Sequence, residues 1–88
     1  MRKIDFSNPF KKSFKKIVTK NADIAFVVIQ KLFLLYQDIN HPSLKLHKLK
    51  GELSNYYAIS IEYDLRIIFE IDGDKIILIN IGSHDAVY

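Results

Sequence analysis

From Tyr57 to Ile81 the chain reads as three strand-length runs joined by two very short acidic turns. Tyr57 to Glu62 alternates, with Tyr57, Ile59 and Ile61 on the inward side and Ala58, Ser60 and Glu62 on the other. Leu65 to Ile71 puts Leu65, Ile67, Phe69 and Ile71 on one side, Arg66, Ile68 and Glu70 on the other. Lys75 to Ile81 separates Ile77, Ile79 and Ile81 from Ile76, Leu78 and Asn80. Successive side chains of a strand point to opposite faces, so a period of two is the mark of a strand. Tyr63-Asp64 and Asp72-Gly73-Asp74 carry hairpin chemistry, and connections this short join only antiparallel neighbours. An antiparallel meander is therefore fixed before anything else, and the rest of the chain must cover one of its faces.

The covering elements lie upstream. Lys3 to Phe6 alternates weakly and reads as a short first strand. Ser7-Asn8-Pro9 is a helix start, a capping side chain followed by proline where a helix tolerates it. Phe10, Phe14, Ile17 and Val18 then repeat at helical spacing, with Lys11, Lys12, Lys15 and Lys16 on the opposite side. Asn21 or Asp23 can cap a second helix running from about Asp23 to Gln37. That helix is apolar almost all round, which demands either burial on several sides or a protein partner. Ile39-Asn40-His41-Pro42-Ser43 ends it, because the residue before proline avoids helical angles. Leu44 to Leu53 keeps no single period and reads as irregular or as a short strand-like connection. The expected fold is α+β, in the order β-α-α-β-β-β, with two N-terminal helices packed on one face of the C-terminal meander.

Eighty-eight residues make one domain, residues 1–88. A chain this short buries only about 60–65% of its unfolded surface, so a partner covering apolar area would add stability. Absence of cysteine excludes disulfides and thiolate chemistry. The first residues lack a signal-peptide core, and Ile24 to Tyr36 is too short and too interrupted to span a bilayer. No membrane association and a cytoplasmic location are expected. Charge is split along the chain. Residues 1–50 carry eleven Lys/Arg against three Asp/Glu, a balance of +8, and residues 51–88 carry two against seven, a balance of −5. A basic half suits a polyanion or an acidic protein. Taken alone, the Lys11–Lys16 cluster reads as a solvated helix face rather than as a grip on phosphates.

The closing residues Gly82-Ser83-His84-Asp85-Ala86-Val87-Tyr88 bring an imidazole, a phenol and a hydroxyl to a strand exit, a set suited to phosphate chemistry. His47 lies beside another glycine-containing boundary. Two histidines can divide general acid and base roles near neutral pH, and Arg66 adds a permanent cation with bidentate phosphate geometry. Together they suffice in kind for metal-free RNA cleavage, whereas each residue alone reads as a surface group. No metal or cofactor is expected: His41, His47, His84, Asp64 and Asp85 show no tight ligand spacing, and the glycines stand singly rather than in a phosphate loop.

His47-Lys-Leu-Lys-Gly51, Tyr56-Tyr57-Ala-Ile-Ser-Ile, Tyr63-Asp64-Leu-Arg66-Ile-Ile-Phe69 and Ile79-Asn-Ile-Gly82-Ser-His84-Asp-Ala-Val-Tyr88 together resemble bacterial type II toxins of the RelE/ParE superfamily. Within it they are most similar to the YafQ-like mRNA endonucleases. The resemblance spans nearly the whole chain and is strongest from residue 44. It implies a sheet under two helices, cleavage of mRNA in the ribosomal A site, and a toxin–antitoxin hetero-oligomer with a cognate acidic antitoxin. It also implies roles: His47 and His84 as proton-transfer groups, Asp64 as the acid of the hairpin, Arg66 as phosphate ligand and Tyr88 as terminal aromatic. Lys48 and Lys50, with Lys11, Lys12, Lys15 and Lys16, would hold RNA. One position departs from the pattern: a further histidine of this branch is replaced within Ile59-Ser60-Ile61-Glu62. ParE-like gyrase inhibitors share the fold without these histidines, and an inactive antitoxin-binding module is a third possibility.

Overall fold

The computed structural model describes residues 3–51, 55–62 and 64–83. Its elements are β1 (Lys3–Phe6), α1 (Asn8–Lys20), α2 (Ile24–Gln37), a single 3-10 turn (Pro42–Leu44), β2 (His47–Lys48), β3 (Tyr56–Glu62), β4 (Leu65–Asp72) and β5 (Lys75–Gly82). The expected order holds, and the irregular stretch after the helices contributes the very short β2. The strands form one five-stranded sheet in the order β1-β5-β4-β3-β2. β3, β4 and β5 are the antiparallel meander, and β1 closes its far edge by pairing parallel to β5. Gly73 takes a φ of +62° in the β4–β5 turn, the left-handed geometry that glycine adopts without a Cβ penalty.

Both helices cover the same face. Phe10, Ile24, Val28 and Leu35 pack against Ile59, Ile61, Ile67, Phe69, Ile76, Leu78 and Ile81, and all of these are buried. The α1 stripe behaves as its spacing requires: Phe10 is buried, while Phe14, Ile17 and Val18 pack against the core from its margin. A smaller cluster of Leu49, Ala58 and Ile68, flanked by Tyr56 and Ile79, lies apart from the helical core on the opposite face.

Strict alternation fails in β5. Ile68 pairs with Asn80, but Phe69 pairs with Leu78, so Ile79 is an extra residue in the ladder. A bulge of this kind shifts the downstream side chains by one position. Ile81 therefore joins Ile76 and Leu78 in the helical core, and Ile79 joins the opposite cluster. This corrects the grouping of Ile77, Ile79 and Ile81 that alternation implies. A second irregularity, at Ile61 in β3, keeps Ile61 in the core while Ser60 stays opposite Arg66.

Helix starts differ too. Ser7 caps α1 as expected, its Oγ accepting the Phe10 N–H at 3.2 Å. The same hydroxyl donates to the carbonyl of the bulged Ile79 at 3.0 Å, and the Ser7 N–H donates to the Leu78 carbonyl at 3.1 Å. Asp23 occupies the cap position of α2 but makes no side-chain capping bond. Instead the carbonyls of Asn21, Ala22 and Asp23 accept the first three N–H groups, a tight 3-10-like first turn.

Ser7 thus ties the start of α1 to the irregular point of β5. Ser7→Ala should lower stability by about 1–2 kcal/mol, through a lost cap and a half-buried carbonyl left without its hydroxyl. Urea unfolding measures this directly. A change under roughly 0.3 kcal/mol would show that the clasp contributes nothing.

Candidate active site

The site is assembled at the β2–β3 side of the sheet. Leu44 is fully buried and pins the turn that precedes β2. His41 caps that turn: its Nδ1 accepts the Ser43 N–H at 3.2 Å and lies 2.9 Å from the Ser43 hydroxyl. Lys45 follows with φ +49° and ψ +49°, a left-handed conformation unusual for a side chain other than Gly, Asn or Asp. This reverses the chain and turns the Lys45 carbonyl toward His47, whose Nδ1 lies 3.1 Å away. A carbonyl can only accept, so Nδ1 carries the proton in this bond. The lone pair of the neutral ring is then on Nε2.

Register places His47 opposite Ala58, on the face that carries the smaller apolar cluster. Ser60, two residues along β3, pairs with Arg66, and Arg66 pairs with Gly82 on β5. The half-buried Arg66 side chain therefore stands between a hydroxyl and a bare glycine backbone. Strand spacing and rise put the Cα atoms of His47 and Arg66 roughly 12 Å apart. Two long side chains can converge on one phosphate across that gap.

A cleft of about 440 Å³ opens beside this row, lined by Lys31, Ser43, Lys45, Ser60, Ile61, Glu62 and Arg66. Three cations face it against one carboxylate. Lys31 is held there by donating from Nζ to the Ser43 carbonyl at 3.0 Å. Sequence reading missed Lys31, Ser43 and Lys45. Lys31 had a visible signal, as the lone charge inside an otherwise apolar helix. Lys45 had none, because a left-handed lysine leaves no trace in composition or spacing.

The remaining candidates are dispersed. Asp64 is exposed in the β3–β4 turn and is not among the described residues that line the cleft. Lys48 pairs with Tyr57, so it alternates to the opposite face from His47. Lys50 is exposed beyond the buried Leu49. Lys12, Lys15 and Lys16, joined by Lys20, border a separate shallow concavity along α1. Lys11 instead edges an apolar groove between the helices. His84 and Tyr88 lie outside the described residues; in sequence, His84 follows Gly82, the partner of Arg66, by two positions. Among the described residues no three His, Asp or Glu side chains cluster as metal ligands, and no helix is long and apolar enough to cross a membrane.

The fold that carries these residues is shared with known proteins. Residues 2–88 match the model of the YafQ family, described as bacterial toxins of type II toxin–antitoxin systems. Among solved structures, a copper-bound mutant toxin from Helicobacter pylori is 25% identical, with a TM-score of 0.86 over 100% of both chains. YafQ in the Escherichia coli DinJ-YafQ complex is 21% identical, with a TM-score of 0.82 over 100% of this chain and 99% of that one. A YoeB/ParE toxin from Agrobacterium tumefaciens shares the fold at 14% identity, with a TM-score of 0.80 over 93% of this chain and 98% of that one. No curated protein sequence matches the chain.

The Lys45 turn is a backbone requirement that substitutions can separate from charge. Lys45→Gly should hold or slightly raise the urea midpoint, since glycine enters the left-handed region freely. Lys45→Val should cost about 1–2 kcal/mol, because a β-branched side chain resists that region. Equal stability of the two variants would show that the turn is not held in this conformation in solution.

Proposed function

The chain belongs to the YafQ family of toxins from bacterial type II toxin–antitoxin systems, and on that premise we propose that it is a ribosome-dependent endoribonuclease. The observation that carries the reading is the convergence of Arg66, Lys45 and Lys31 on one cleft beside the His47 face. Cations so placed suit a strand of phosphates, and the imidazole supplies the proton chemistry that phosphodiester cleavage needs.

In the proposed reaction the 2′-hydroxyl of an mRNA nucleotide attacks its own 3′-phosphorus. His47 takes the hydroxyl proton at Nε2, the nitrogen left basic by the bond from Nδ1–H to the Lys45 carbonyl. Negative charge grows on the phosphorane oxygens, and Arg66 stabilises it with a guanidinium that never loses its proton. The bond to the 5′-oxygen breaks as His84 donates a proton to it. A 2′,3′-cyclic phosphate and a 5′-hydroxyl remain. Asp64 orients or tunes an imidazole, and Tyr88 stacks on a base. Lys48, Lys50 and the α1 lysines Lys11, Lys12, Lys15 and Lys16 hold more distant phosphates of mRNA or rRNA. Ser60, where the resemblance leads one to expect histidine, does no proton transfer at neutral pH and lines the cleft beside Arg66. All proton steps are thereby assigned to side chains, so the proposed route uses no metal. By analogy with the E. coli DinJ-YafQ complex, the partner in the resting cell is an acidic antitoxin, and the cytoplasm, where ribosomes work, is the proposed location.

Single-turnover cleavage on programmed ribosomes tests the proposal. His47→Ala and His84→Ala should each slow cleavage by about 10²–10⁴-fold, the ordinary worth of a positioned acid or base. Arg66→Ala should slow it as well, by roughly 10²–10³-fold. Deleting residues 84–88 removes His84 and Tyr88 while sparing every paired residue of β5, so the product should fold yet not cleave. Cleavage should persist in EDTA once ribosome integrity is controlled. Wild-type rates in both histidine variants would sink the mechanism.

A further inference from the structure

Lys31 is the one charged residue of α2, and it is half-buried rather than out in water. Its Nζ donates to the Ser43 carbonyl at 3.0 Å. That carbonyl belongs to the single 3-10 turn of Pro42–Leu44, whose closing donors, the N–H groups of Leu44 and Lys45, end on the carbonyls of His41 and Pro42. The Ser43 carbonyl is the next in line, and the chain leaves the turn left-handed at Lys45. A cation that hydrogen-bonds a late carbonyl of a helical turn is a C-cap, here supplied by a side chain of α2. His41 holds the other end of the same residue, its Nδ1 accepting the Ser43 N–H at 3.2 Å. Ser43 is thus gripped at both its backbone groups, two residues before the carbonyl that accepts from His47.

β2 is only two residues long, so its ladder fixes the backbone at His47 but not the direction of the ring. The ring is oriented by the bond from Nδ1 to the Lys45 carbonyl, at 3.1 Å. We propose that Lys31 is a positioning residue for His47: by capping the turn at Ser43 it holds the Lys45 carbonyl in place and so keeps the lone pair of the ring on Nε2. The clamp is read from geometry; only its consequence for cleavage rests on the nuclease reading above. An ammonium group has three donors, so one bond to Ser43 leaves two for a phosphate in the cleft. Lys31 therefore has a role in addition to its charge, and the two roles separate by experiment.

The test compares variants of the full-length toxin, free and on programmed ribosomes. Lys31→Met removes the clamp and one charge but keeps the length of the stem, so the urea midpoint should hold. Lys31→Gln, shorter and neutral, repeats the comparison with a polar end. Lys45→Gln removes one charge from the same cleft and leaves the clamp intact. Each should reduce the slope of log ribosome affinity against log salt by about 0.7–0.9, the share of one phosphate contact. Only the Lys31 variants should shift the imidazole nitrogen resonances of His47 from the Nδ1–H toward the Nε2–H tautomer, read at a pH where the ring is neutral. They should also slow saturating single-turnover cleavage by about 10–10²-fold beyond the Lys45→Gln rate, through a misplaced base. Lys31→Arg, which keeps a donor and the charge, should restore both readouts. An unchanged His47 spectrum in folded Lys31→Met or Lys31→Gln would overturn the proposal. So would equal saturating rates for Lys31→Met and Lys45→Gln in a toxin that cleaves, which would leave Lys31 a charge and nothing more. The spectrum is read without RNA, so a toxin whose tautomer shifts as described but which cuts no mRNA refutes the nuclease reading alone.

Discussion

The arrangement hangs on the extra residue in β5. An uninterrupted alternation would send Ile81 to the face opposite Ile76 and Leu78 and take it out of the helical core. The bulge at Ile79 returns Ile81 to that core, and it sets the register in which Gly82 meets Arg66. Such an irregularity survives only if its displaced backbone groups find partners. Ser7 provides one, bonding the Ile79 carbonyl while it caps α1. One hydroxyl therefore couples the entry of the helical layer to the row that carries Arg66.

The same coupling explains what could be read in the sequence. Elements whose signal is periodic were legible: the three meander strands, the α1 stripe from Phe10 to Val18 and the Ser7 helix start all stand where spacing put them. Local departures from periodicity were not. A bulge looks like alternation until the partner strand is known, so the two faces of β5 were misgrouped. The Asp23 cap failed for a related reason. Capping preference is a statement about side chains, and here backbone carbonyls took the first N–H groups of α2.

Site legibility followed the same division. Arg66 was identified because a charge amid apolar strand residues is conspicuous, and it does line the cleft. His47 was singled out through its motif, but its tautomer depends on the Lys45 carbonyl, which follows a left-handed backbone. Backbone conformations of that kind cannot be inferred from residue type when the residue is lysine. The basic residues meanwhile looked like one population in sequence and divide in space into cleft, α1 concavity and groove edge.

That division matters because an 88-residue chain has little surface to spare. A small domain buries a modest share of its apolar area, and each large side chain left in water forgoes burial worth about 1.5–3 kcal/mol. Leaving Phe26, Ile29 and Phe33 outside is therefore a standing cost to the free toxin, not a neutral feature. Cleft and apolar surface nevertheless meet at one side chain: Lys31 lines the cleft beside Arg66 and also borders the hollow formed with Ile29 and Phe33. Its bond to the Ser43 carbonyl holds it there, so a single cation of α2 ties the helical layer to the turn that precedes β2.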